Sequence, residues 1–198
     1  MKFTTQQIQD VLENKGYHFF DKNLPFNLNI IGVRSVNDLA NNFDDWLYVV
    51  YRDNLQKMIT KEFSITTDPG RYWLKNPLNI NGTAILVPGQ YKGSHRIGLH
   101  QGKYEALKQV GNVRVWRDND RDNALHKEGK TYEGIFGINI HRSNANGSAT
   151  VVEKWSAGCQ VFKDVQDFNF FIEICKKSAS IYENSFTYTL LEEADFMN

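Results

Sequence analysis

At 198 residues, with 41% hydrophobic, 13% aromatic and 23% charged side chains, the chain has an ordinary globular composition and the length for one large domain. Twenty-three lysines and arginines balance twenty-three aspartates and glutamates, so no net field draws a polyanion and no nucleic-acid partner is expected. No apolar run approaches a membrane span. The two cysteines, Cys159 and Cys175, are too few for a disulfide framework and form no CxxC pair.

The opening MKFTTQQIQDVLENKGY lacks the apolar middle and small-residue cleavage site of a secretory signal. The expectation is a soluble protein made in a reducing compartment. The same stretch predicts a short amphipathic helix. Thr4 or Thr5 can cap it, Ile8, Val11 and Leu12 share a face, and Gly16 can end it. From Phe26 onward FNLNIIGVR, DWLYVVYRD, MITKEFSITT, TAILVPGQY and NVRVWRD read as strands, rich in β-branched and aromatic residues. DPGRY (68–72) and NGT (81–83) carry turn chemistry, SHRIGLHQGKY reads as a surface loop, and GKYEAL (102–107) as one or two helical turns.

GIFGINIH (134–141) reads as a strand with Phe136, Ile138 and Ile140 on the buried face and Asn139 and His141 on the other. A Ser/Asn/Gly loop (142–149) and the segment WSAGCQVF follow. KDVQDFNFFIEICKKSA (163–179) predicts a helix with Phe168, Phe171, Ile172 and Cys175 on one stripe, and FTYTLLE (186–192) a closing strand. The fold class expected is β-dominated α+β.

Cysteine chemistry needs a thiolate, a base to generate it, and donors for the oxyanion that forms at the attacked carbonyl. The five histidines, His18, His95, His100, His126 and His141, all precede Cys159, so any histidine base lies upstream. His141, at the end of an alternating strand, is the best placed. Gly158 would keep the space beside the sulfur clear for a substrate backbone and let nearby N–H groups aim at an oxyanion. Metal binding is not expected. His95 and His100 lack an acidic or thiol partner at ligand spacing, and the calcium-like run Asp118, Asp120, Asp122 has Asn123 and Gly129 where glycine and glutamate are required. No Walker loop or dinucleotide fingerprint appears, so no organic cofactor is expected.

IHRSN…WSAGCQVF resembles the signature of the L,D-transpeptidases (the YkuD-type catalytic domain): a histidine, a loop of some fifteen residues, then Ser/Thr-His-Gly-Cys. Here fourteen residues separate His141 from Ser156-Ala157-Gly158-Cys159. Pro88-Gly89-Gln90-Tyr91 after AILV is similar to the family's Thr-Pro-x-Gly-x-Tyr/Phe turn, and Asp164 opens a helix where the family also has one. The chain also resembles proteins encoded by tailed bacteriophages. The resemblance implies a mixed β-sandwich/barrel catalytic domain over 81–198, with an added N-terminal segment over 1–80 packed on it. It implies Cys159 as nucleophile, His141 as base, and the N–H groups of Gly158 and Cys159 as oxyanion donors. A carbonyl on Arg142 or Ser143 would fix the histidine tautomer, and Ser156 completes the motif. Tyr91, His100, Lys103, Tyr104, Asn139 and Trp155 are the expected substrate-binding residues.

The implied activity is cysteine-dependent transpeptidation or hydrolysis of peptidoglycan stem peptides; lacking an export signal in its opening residues, the protein is expected to reach the wall another way, for example at lysis or as part of a virion. The chain departs from the family at Ala157, where a second histidine is usual, and at Gln160-Val161, where an apolar residue and then arginine are usual. Two other expectations follow from those departures: a wall-binding or virion structural protein that keeps the fold without turnover, and a cysteine hydrolase on another amide or ester.

Overall fold

The computed structural model describes residues 2–21 and 24–197. Thr4 starts α1 (Thr5–Asn14) with a reciprocal cap, its hydroxyl accepting the Gln7 N–H while the Gln7 side chain accepts the Thr4 N–H. Ile8, Val11 and Leu12 form the buried face, and Gly16, at φ 69°, turns the chain away. α1 lies on the outside of a sheet, where its apolar face meets Ile31, Val33, Tyr48, Val50 and Leu191.

That sheet is a closed eight-stranded barrel. β1 (Asn29–Arg34), β2 (Asp45–Arg52) and β3 (Met58–Thr66) come from the first third of the chain. β5 (Gly89–His100), β6 (Tyr104–Gln109), β9 (Ile140–Arg142), β10 (Gln160–Phe162) and β11 (Phe186–Glu192) complete it, in the order β1-β11-β5-β6-β9-β10-β3-β2. The β1–β11 and β9–β10 junctions are parallel. β4 (Thr83–Leu86), β7 (Val113–Asp118) and β8 (Tyr132–Gly134) form a separate three-stranded sheet.

β1 is buried along its whole length because both faces are covered. Ile30 joins Leu47, Val49, Phe63 and Ile140 in the main core, while Ile31 and Val33 turn to α1. Gly32 is required there, since a Cβ would stand 1.9 Å from the Tyr188 hydroxyl. α3 (Val165–Ile181), capped by Asp164, sends Phe168, Phe171, Ile172 and Cys175 into the same core against Phe162. The expected β-dominated α+β class is what the chain adopts. Among the described residues no helix is long and apolar enough to cross a membrane.

Several local expectations are corrected. The first eighty residues are no appendage: β1 pairs with β11 and β3 with β10, so a boundary at residue 80 falls inside the closed ring. TAILVPGQY is two strands, because Pro88 has no N–H for a ladder, and β4 and β5 part there into different sheets. GKYEAL is strand, not helix. Gln101 and Gly102, at φ 51° and 72°, make a tight turn that folds β6 back on β5, pairing Ile97 with Leu107. SHRIGLH is thus a hairpin arm rather than a loop. DPGRY leads into a short helix, α2 (Arg71–Lys75).

GIFGINIH is mostly not strand. The Gln109 side chain accepts the N–H groups of Phe136 and Ile138 at 3.0 and 2.8 Å, standing in for a neighbouring strand, and only Ile140 and His141 regain the ladder.

Candidate active site

β9 and β10 run side by side, with Val161 opposite His141, and the Gln160 N–H continues the ladder to Asn139 O at 2.9 Å. Extending that register by one residue sets Cys159 beside Asn139. Ile140 and Phe162 face the core, so by the period of two His141 and Val161 share the opposite face, and Cys159 stands directly before β10, two positions ahead of Val161. Seventeen residues separate His141 from Cys159 in sequence, and one parallel pairing sets β9 beside the strand that Cys159 leads into.

The His141 ring is fixed. Its Nδ1 lies 2.8 Å from Arg142 O, and a carbonyl only accepts, so Nδ1 carries the proton and Nε2 is left as the basic nitrogen. Of the two carbonyls considered, the orienting one is Arg142. The Tyr104 hydroxyl donates to the same carbonyl at 3.3 Å and stands 3.4 Å from Nδ1, while the Arg142 guanidinium lies over the Tyr104 ring at 4.3 Å. His100 stacks on His141 with ring centroids 4.2 Å apart. Burial, with the His100 charge added, lowers His141 to about 3, so the imidazole is neutral at rest.

Cys159 is half-buried and its thiol donates to Gly137 O at 3.2 Å. Among the described residues no hydrogen bond joins its sulfur to His141. Burial pushes the thiol up to about 11, opposed by the nearby Asn139 N–H. Both shifts favour a neutral thiol beside a neutral imidazole over an ion pair. Burial raises the Tyr104 phenol, Arg142 lowers it, and Cys159, once ionised, raises it again.

The cysteine loop is braced from within. Ser156, fully buried, donates its hydroxyl to Cys159 O at 2.8 Å and accepts the Gly158 N–H at 3.1 Å. Gly158 is therefore already engaged, whereas the Cys159 N–H has no partner among the described residues and is free to bind an oxyanion. Gly158 sits at φ 115°, where a Cβ would lie 2.3 Å from Ala84 O, so the missing side chain lets the loop pack against β4.

The thiol and the imidazole open into different cavities. Cys159 lines one of about 420 Å³ with Leu78, Ala84, Arg117, Phe136 and Ala157. His141 lines one of about 620 Å³ with His100, Lys103, Tyr104, Arg142 and Trp155. Trp155, 43% exposed, walls the second. Asn139 links the clusters: its side chain accepts the Gln109 N–H at 2.9 Å and its amide nitrogen stands 3.4 Å from His100 Nδ1.

Tyr91 is not at this site. The β5 register sets it opposite Tyr188, its hydroxyl donates to Val87 O at 2.5 Å, and it lines a separate cavity with Gln90 and Arg114.

Other supports were not read from the sequence. Gly70 donates its N–H to Ser156 O at 2.8 Å, and a Cβ there would lie 2.0 Å from Glu153 O. Asn41 and Arg71 both bind the Glu153 carboxylate, at 3.0 and 2.7 Å. Beneath the loop, the Tyr188 hydroxyl donates to Gln160 Oε1 at 2.7 Å. Fully buried Arg34 pairs with Asp68 at 2.9 Å and donates to Leu86 O. The DPG turn was the one available signal for this layer.

Asp118, Asp120 and His126 bring potential metal-ligand atoms within 4.8 Å of one another. The Asp118 carboxylate already accepts the N–H groups of Asp120 and His126, at 3.2 and 3.0 Å, an arrangement that braces the turn. No family model, curated protein or solved structure matches the chain.

Proposed function

We propose that the chain is a cysteine-dependent acyl-transfer enzyme or hydrolase acting on peptidoglycan stem peptides. One observation carries the reading: Cys159 directly precedes β10, which pairs in parallel with the strand that holds His141, and Arg142 O fixes the histidine tautomer so that Nε2 is the free base. The stem-peptide substrate follows from the likeness of His141…Ser156-Ala157-Gly158-Cys159 to the L,D-transpeptidase motif.

In this scheme the Cys159 thiol passes its proton to His141 Nε2 as sulfur attacks the carbonyl. The Cys159 N–H accommodates the oxyanion, and the imidazolium gives the proton to the departing amine. Water or a second amine then takes the acyl group from sulfur. Because both groups rest neutral, the proton moves only when the carbonyl is in place.

A second reading has its own support. The thiol donates to Gly137 O and not to the imidazole, as a protein that binds wall peptides without turnover would permit. Defined muropeptides incubated with the protein and with its Cys159→Ala and His141→Gln variants, read by mass spectrometry, separate the two. Cleavage or exchange lost in both variants supports the enzyme; binding by all three proteins with no product supports the binding protein.

A further inference from the structure

We propose that the cavity beside His141 is an anion subsite that holds the free carboxylate of the amine component, the departing C-terminal amino acid or an amino-acid acceptor. The proposal rests on the reading of Cys159 and His141 as an acyl-transfer pair. The chain as a whole is charge-balanced, 23 against 23, yet among the described residues this cavity is lined by Lys103, Arg142 and Lys154 and by no aspartate or glutamate. The nearby acids are already engaged: Glu105 by Lys176 at 2.7 Å, and Glu153 by Arg71 at 2.7 Å.

The cations themselves have no carboxylate partner among the described residues. Lys103 and Lys154 are exposed, Lys154 resting over the Tyr72 ring at 4.3 Å and Arg142 over Tyr104 at 4.3 Å. Cation–π contact orients such groups without neutralising them.

The thiol-side cavity has fewer cations among the described residues: Leu78 and Ile135, 77% and 63% exposed, stand at it, and Arg117 donates to Gly82 O at 3.0 Å and stacks on Phe136. The reaction divides a substrate along the same line. The carbonyl component stays on sulfur, while the amine component takes its proton from His141 and so lies on the histidine side. In a C-terminal amino acid the carboxylate is one carbon from the scissile nitrogen, which sets it among these three cations.

The test is calorimetric titration of the full-length Cys159→Ala protein with a stem peptide ending in a free carboxylate and with the same peptide as its C-terminal amide. The acid should bind about tenfold tighter or more. That preference should vanish in a Lys103→Met/Lys154→Met background and shrink at high salt. Equal affinity for acid and amide, or no binding of either, overturns the subsite. So does displacement of the peptide by inorganic phosphate at lower concentration than by free glycine, which would assign the cations to a phosphate. Turnover of muropeptides by the unmodified protein is read separately. Cys159-dependent turnover with equal binding sinks the subsite alone; acid preference without turnover sinks the enzymatic reading alone.

Discussion

Alkylation of Cys159 should rise with pH much later than that of a free thiol. Burial carries the thiol from 9.0 to about 11, and each unit is a factor of ten in thiolate. At neutral pH the site should therefore react about a hundredfold more slowly than an unhindered cysteine with the same intrinsic reactivity. Iodoacetamide rates across a pH series, with peptide mapping to separate Cys159 from fully buried Cys175, measure this directly.

His141→Ala should leave the resting rate nearly unchanged, because the imidazole is neutral and makes no hydrogen bond to the sulfur. An inflection at or below pH 7, or a large fall in rate on removing His141, would mean a resting thiolate–imidazolium pair and refute the assignment. The linked stability has a definite sign. The folded thiol holds its proton more tightly than the unfolded one, so its contribution is present below about pH 9 and is lost as pH climbs toward about 11.

Three further outcomes follow from the same geometry. Gly158→Ala forces a side chain into φ 115° and against Ala84 O; backbone strain alone should cost about 1–3 kcal/mol, visible as a lower urea midpoint, and an unchanged midpoint would contradict the packing. Tyr188→Phe strands buried Gln160 Oε1 without its donor, for a loss of about 1–3 kcal/mol in the same assay; a neutral result would mean that another donor reaches Gln160. His95 and His141, depressed to about 4 and about 3, bind fewer protons folded than unfolded below pH 6.5, so each should remove up to about 1.4 kcal/mol per pH unit as the solution is acidified. Asp45, raised to about 7 by burial and then by Asp68, works in the opposite sense over this window. The pH slope of wild type minus that of His95→Gln isolates one histidine, and identical slopes would show that His95 titrates normally.

Local chemistry was legible wherever it was self-sufficient. The Thr4–Gln7 cap, the Asp164 cap, the Phe168–Cys175 stripe and the β-branched and aromatic runs of β2 and β11 each satisfy their requirements within a few residues. Readings failed where a distant partner decided the outcome. GKYEAL became a strand because β5 and β9 flank it. GIFGINIH lost its ladder to the Gln109 side chain. The motif residues split in the same way: Ser156 and Gly158 hold the loop and pack it on β4, which spacing alone does not distinguish from contact with substrate.

From composition and periodicity alone come a β-rich core, two buried helical faces, and a histidine and a cysteine at a suggestive interval, because propensity, capping and amphipathic period act over short distances. Tertiary structure alone decided that residues 1–80 close the barrel, that Tyr91 belongs to a different cavity, and that His100 stacks on His141. It also decided which neighbours bury the thiol and the imidazole and hold both neutral. Those outcomes depend on strand pairing and desolvation between segments far apart in the chain, which only the closed barrel brings into contact.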